Sequence, residues 1–196
     1  MELKDSKTKI NLLKAFAGES QARNRYTFVA SEAKKQNLHL VEEVFTFTAN
    51  QEKEHAELFY NELGELKGEN IMIEAGYPVD KSSNIFELLK SAIHNEEEEH
   101  SPVYPEFARV AREEGFLKVA TLFEKIAVIE KTHAERFKVF LSYLESNKLF
   151  KEDNETEWLC LNCGHIHKGT DAPKNCPVCE HNQGYFIRKE YAPYTK

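Results

Sequence analysis

Glu52-Lys53-Glu54-His55-Ala56-Glu57-Leu58-Phe59 returns 78 residues later as Glu130-Lys131-Thr132-His133-Ala134-Glu135-Arg136-Phe137, with six of eight positions identical. The same offset carries Tyr26 to Tyr104 and Ala33 to Ala111. Six identities in an octet are too many for chance similarity between two Glu- and Lys-rich helices. A duplicated unit follows, and with it a pseudo-twofold axis: what one copy turns inward, the other turns inward too.

The periodicity around each octet is helical. Val41, Val44, Phe45, Thr48 and Phe59 form an apolar stripe at three- and four-residue steps, and Glu52 and His55 continue it. In the second copy Val119, Phe123 and Ala127 lead to Glu130 and His133, then to Phe137 and Leu141. Glu19 falls between Leu12, Phe16 and Tyr26, and a third stripe runs Ile85, Leu89, Ala92, Glu96, Glu99, Val103. Four helices are expected at about 6–36, 38–66, 82–114 and 116–146. Short turns near Gln36-Asn37 and Gly115 make two antiparallel hairpins, and residues 67–81 form the crossover between them. The expected fold is an all-α four-helix bundle over residues 1–150, followed by a small metal-stabilised β/loop domain over 151–196.

Carboxylates on core-facing stripes are costly unless paired or bound to a metal. Basic partners are scarce there, with Arg23 the nearest candidate. A Glu-x-x-His puts an oxygen and a nitrogen donor on one helix face, one turn apart. Two such pairs, with one Glu from each of the other two helices, are the ligand set of a carboxylate-bridged di-iron or di-manganese site. In the third helix Asn95-Glu96-Glu97-Glu98-Glu99-His100 offers four carboxylates. A strict offset from Glu19 points to Glu97, whereas the stripe favours Glu96 and Glu99 and leaves Glu97 and Glu98 on a solvated acidic face. If Glu96 pairs with Glu19 while Tyr104 pairs with Tyr26, one residue is inserted between them, and a π-bulge would absorb it. Pro102 and Pro105 require the helix to loosen at that point.

Beyond Lys151-Glu152-Asp153-Asn154-Glu155, read as a polar linker, the composition changes. Cys160, Cys163, Cys176 and Cys179 are spaced C-x2-C-x12-C-x2-C. That spacing gives one tetrahedral ion with four thiolates, and spacing alone does not choose between zinc and iron. About 45 residues with Trp158, Tyr185 and Phe186 as their aromatic set are too few to fold on an apolar core alone.

The chain of 196 residues carries 26 Lys and Arg against 33 Asp and Glu, a net charge of −7. That balance argues against binding nucleic acid or a membrane surface. No apolar run approaches a transmembrane helix, and the start Met1-Glu2-Leu3-Lys4-Asp5 has no apolar signal region. No Gly-x-Gly-x-x-Gly occurs, so no nicotinamide or flavin site is expected in this chain.

Gly18-Glu19-Ser20-Gln21-Ala22-Arg23, Glu52-Lys53-Glu54-His55, Tyr104-Pro105-Glu106-Phe107-Ala108, Glu130-Lys131-Thr132-His133 and Cys176-Pro177-Val178-Cys179 together resemble the rubrerythrin family over essentially the whole chain. The resemblance implies a ferritin-like di-iron bundle and a rubredoxin-like module with one iron bound by four cysteines. By resemblance Glu52 and Glu130 bridge the irons, Glu19 serves one, and Glu96 and His133 the other. Glu99 matches a carboxylate that binds iron in the oxidised state, and His55 the histidine that replaces it on reduction. Tyr26 and Tyr104 match tyrosines that hydrogen-bond the site. The implied activity is reduction of hydrogen peroxide to water, with electrons from an external rubredoxin or NAD(P)H-dependent reductase. The family implies a homodimer or larger assembly and, with the missing signal, a cytoplasmic location. Rival readings are a ferritin-like ferroxidase or iron-handling protein, and a structural zinc-ribbon module on a metal-free bundle. Glu180 departs from the small residue usual after the last cysteine, His94 from a small residue before the third-helix ligands, and Pro102 is unusual.

Overall fold

Ser6 accepts a hydrogen bond from the amide of Lys9 at 3.1 Å and starts the first helix. In the computed structural model, which describes residues 1–193, the helices are α1 (Lys7–Lys35), α2 (His39–Asn61), α3 (Ile85–Glu98), α4 (Tyr104–Glu113) and α5 (Leu117–Glu145). The α1–α2 turn uses Asn37 at φ 58°, and the α4–α5 turn uses Gly115 at φ 90°. Both positions need the left-handed region that Asn and Gly tolerate.

The expected third helix is two helices. Between α3 and α4, residues Glu99–Val103 form a wide π-type turn that contains the cis Ser101–Pro102 bond. The extra residue is absorbed here, where the shift in repeat offset places it. The second expected helix is shorter than expected: α2 stops at Asn61, and a separate 3₁₀ turn follows at Gly64–Leu66. The crossover is pinned at points along its length. The Tyr77 hydroxyl donates to the Lys14 carbonyl at 3.0 Å, and Asn95 donates to Asp80 at 2.7 Å.

The bundle core is divided. One apolar cluster holds Tyr26, Val44, Phe45, Ala49, Leu89, Ala92 and Phe137. The other holds Leu12, Ala15, Phe59, Tyr104, Phe123 and Ala127. On α1, α2 and α5 the residues between the clusters are Glu19, Glu52 with His55, and Glu130 with His133, all buried. A polar level therefore lies across a greasy interior.

The C-terminal region has three antiparallel strands, β1 (Lys151–Cys160), β2 (Ile166–Asp171) and β3 (Phe186–Arg188), in the order β2-β1-β3. The polar run 151–155 is thus the first half of β1 and not a free linker. It lacks the alternation that marks a strand because this half of β1 has no buried face. Trp158 and Phe186 fill the small core with Cys160 and Cys176, and the Trp158 indole donates to the Gly169 carbonyl at 3.0 Å. Tyr185 packs at the edge of that core and also stacks on His39 at the start of α2, with ring centroids 3.9 Å apart. Gly184 lies so close to the α1–α2 turn that a Cβ there would stand 1.9 Å from the Asn37 carbonyl oxygen. Arg188 packs between Tyr143 and Trp158 and donates to Glu152 at 2.7 Å. The region is docked on one end of the bundle. No described helix is long and apolar enough to cross a membrane.

Candidate metal centres

Four helices bring six buried side chains to the polar level. The ligand atoms of Glu19, Glu52, His55 and Glu130 lie within 4.8 Å of one another, as do those of Glu52, Glu96, Glu130 and His133. Glu52 and Glu130 belong to both groups. The His55 Nδ1 is 3.0 Å from Glu52 and 3.0 Å from Glu130, and the His133 Nδ1 is 2.9 Å from each. The two halves mirror one another, as the repeat requires.

The tyrosines show the same exchange. Tyr26 donates to Glu96 at 2.5 Å, and Tyr104 donates to Glu19. Each hydroxyl comes from one copy of the repeat and fixes a carboxylate of the other. Burial and the adjacent carboxylates push both phenols well above their usual range, so they remain donors.

These residues fit a pair of cations. Glu19 Oε2, Glu96 Oε2, both oxygens of Glu52 and of Glu130, and both Nδ1 atoms are buried without a hydrogen-bond partner. Their separations run from 2.9 Å, His133 to Glu52, to 3.9 Å, His55 to Glu19, without hydrogen-bond geometry, the donor atoms converging on shared points. Oxygen and imidazole nitrogen donors in this ratio suit iron or manganese. Without cations the charges act on one another. Burial, then Glu130, Glu99 and Glu52, push Glu19 well above the usual carboxylate range. Burial and Glu52 do the same to Glu96. Burial works against the charge on Glu52, yet His133 and His55 hold it at about 2. Burial likewise opposes the two imidazoliums, but the carboxylates push His55 up to about 9 and His133 to about 12.

Glu99 joins neither group of ligand atoms. It borders a cavity of about 420 Å³ lined also by Gly18, Arg25, Tyr77 and Tyr104. Burial and the charges of Glu96, Glu130 and Glu52 push its carboxyl well above normal, with Arg25 pulling the other way. Glu97 and Glu98 are exposed, and Glu97 pairs with Lys138. Arg23, the basic partner expected from sequence, is exposed. Two residues on, Arg25 faces the site region instead, its Nε 3.9 Å from Asp80.

Sequence reasoning passed over a second set. The outer nitrogen of His133, Nε2, lies 3.1 Å from Gln51 Oε1. Arg136 donates to the same oxygen at 2.9 Å and to the Thr48 hydroxyl at 2.9 Å. A signal existed, since Arg136 against Leu58 is one of two mismatches in the repeated octet.

In the C-terminal region the four sulfurs converge without disulfides. Cys160 and Cys179 sulfurs are 3.7 Å apart, and Cys163 and Cys176 are 3.6 Å apart. A tetrahedron with metal–sulfur bonds near 2.3 Å has edges of about 3.8 Å, so the four fit one ion. The two knuckles repeat each other as well. The Gly164 amide donates to the Cys160 carbonyl at 2.8 Å, and the Glu180 amide to the Cys176 carbonyl at 2.9 Å. Both residues have positive φ, 77° and 63°.

The family model described as Rubrerythrin matches residues 11–141 and 87–157, and the one described as Rubrerythrin, rubredoxin-like domain, matches 158–187. A rubrerythrin of Clostridium perfringens is 46% identical over 185 residues, spanning 94% of this chain and 95% of that protein. One from Porphyromonas gingivalis is 44% identical over 184 residues, spanning 94% and 90%. The structure of fully reduced, all-ferrous nigerythrin superposes with a TM-score of 0.63 at 31% identity, covering 94% of this chain and 90% of that one.

Proposed function

The chain belongs to the rubrerythrin family, and from that premise we propose that it is a non-haem di-iron peroxidase that reduces hydrogen peroxide to water. The observation that carries this reading is the pair of mirrored donor groups sharing Glu52 and Glu130 in a buried polar level. Glu19, Glu52, His55, Glu96, Glu130 and His133 would hold two irons, with Glu99 within reach from the cavity side. Cys160, Cys163, Cys176 and Cys179 would hold a third. Two ferrous ions held there would supply one electron each, which matches H₂O₂ + 2 H⁺ + 2 e⁻ → 2 H₂O, and would act as Lewis acids.

The rest falls to the protein. The cavity beside Glu99 and Tyr104 admits a small neutral substrate. Glu99 keeps a proton on its carboxyl there and passes it to a departing oxygen, which suits a group held well above its usual range. Tyr26 and Tyr104 keep Glu96 and Glu19 oriented throughout. The two apolar clusters above and below exclude bulk water from the polar level.

An iron held by the four cysteines would relay electrons from an external rubredoxin or NAD(P)H-dependent reductase. Within one chain that region docks at His39, thirteen residues before Glu52 on α2, about 20 Å along the helix axis. The reading therefore assigns delivery to the four-cysteine region of a second copy, in a homodimer or larger assembly.

The test mixes anaerobically reduced protein with peroxide and follows the absorption of the cysteine-bound iron. Fast reoxidation in the native chain and a loss of at least about 100-fold in Glu52→Ala are expected, since that variant removes a shared ligand. Equal rates in the two would overturn the assignment. Dioxygen outcompeting peroxide, with iron mineral accumulating, would favour an iron-handling role instead.

A further inference from the structure

The repeat makes the two histidines equivalent at their inner nitrogens but not at their outer ones. His133 Nε2 meets Gln51, which Arg136 holds by a 2.9 Å hydrogen bond while also bonding Thr48 and lying over the Phe47 ring. The offset of 78 maps Gln51, Arg136 and Thr48 onto Ile129, Leu58 and Ile126. All three counterparts are apolar, and no described residue hydrogen-bonds the outer nitrogen of His55. Duplication supplied two like ligands, and later divergence put a polar clamp behind one of them.

The geometry points to Gln51 and Arg136 as positioning residues that hold His133 in one orientation and one tautomer, and so give its half of the site the tighter grip on a metal ion. Gln51 Oε1 accepts two hydrogen bonds at once, one from Arg136 and one from the N–H at Nε2 of His133. That fixes the tautomer, keeps the Nδ1 lone pair facing the polar level and stops ring rotation. Behind its inner contacts to Glu52 and Glu130, the His55 ring is held only by packing. The asymmetry is built from side chains outside the ligand set, and it makes the two metal positions unequal in affinity. The inference rests on the di-metal reading above.

The test is an anaerobic Co(II) titration of the full-length protein, with the four-cysteine site already filled by zinc and the bundle stripped of metal. Gln51→Leu is expected to weaken one of the two bundle sites 10- to 100-fold, the usual cost of losing such a partner, and to leave the other within about twofold. Gln51→Glu keeps an oxygen that accepts from both partners and should restore the native isotherm. The reciprocal graft Leu58→Arg/Ile129→Gln changes two surface-exposed positions. It should tighten the unclamped site and bring the two affinities together. In zinc-loaded native protein, NMR should show one slowly exchanging imidazole N–H, from His133, and that signal should vanish in Gln51→Leu. Equal weakening of both sites, or no change in either, would overturn the clamp while leaving the di-metal reading intact. Failure of the native bundle to take up any Co(II) would remove both.

Discussion

Both metal centres are made by pairing two copies of one ligand motif, yet they store their geometry in different places. In the bundle, Glu-x-x-His occurs once on α2 and once on α5, and the ligands are aimed by an interior of packed aromatic rings and by Tyr26 and Tyr104. In the C-terminal region the two Cys-x2-Cys knuckles have a small core behind them, Trp158, Phe186 and Ala172 with Phe150 and Tyr185 packed against it. The bundle can hold a constellation of unpartnered charges because the surrounding helices fix it. The knuckles must take their shape from the ion.

Chelation breaks that comparison most directly. Removing the four-cysteine ion should unfold the C-terminal region completely, because structural sites of this kind draw about 10–16 kcal/mol from the metal. Trp158 is the sole tryptophan, so its fluorescence reports on this region alone. It should shift to that of a solvated indole while the far-ultraviolet helical signal stays. Simultaneous loss of both would mean the bundle has no independent hold on its own geometry.

The next effect is in the metal-free bundle. His55 and His133 keep their protons to about 9 and about 12 in the folded chain, against 6.5 as a free side chain. The folded state therefore binds more protons above pH 6.5, and stability falls as the pH rises through 9. Glu19, Glu96 and Glu99, all raised, add in the same direction. Urea unfolding followed by circular dichroism should lose about 1.4 kcal/mol per pH unit or more across pH 6.5–9. Metal loading should flatten that slope, since cations take the place of the protons.

How much of this could be read without coordinates depends on which force places each residue. The repeated octets and the cysteine spacing put the ligand positions in plain view, because helical and knuckle geometry are local. Even the wide turn at Glu99–Val103 left a trace, as a one-residue change in offset between Glu96 and Tyr104. Interactions made across helices left almost none. Arg25 rather than Arg23 approaches the site because helix rotation, not nearness in sequence, decides which side chain faces inward. Gln51 meets His133 from another helix, and its only trace was the Arg136/Leu58 mismatch. The polar half of β1 was invisible because a strand without a buried face has no hydrophobic period.

The smallest predicted effect compares the two knuckles. Gly164 and Glu180 occupy the same left-handed position, where a glutamate is strained by about 1 kcal/mol. Glu180→Gly should stabilise the C-terminal region by about that amount and slow metal loss to a chelator. Gly164→Ala should do the reverse. Equal behaviour of the two variants would show that the knuckles are not equivalent in strain.

The account depends above all on two cations sharing Glu52 and Glu130. Crystals of iron-loaded protein, measured at the iron absorption edge, test it without recourse to activity. The expected anomalous map has two peaks in the bundle, one against Glu19 and His55 and one against Glu96 and His133, with Glu52 and Glu130 touching both and a third peak among the four sulfurs. A bundle with no peak, or with a single ion bound by one half of the repeat, would contradict it.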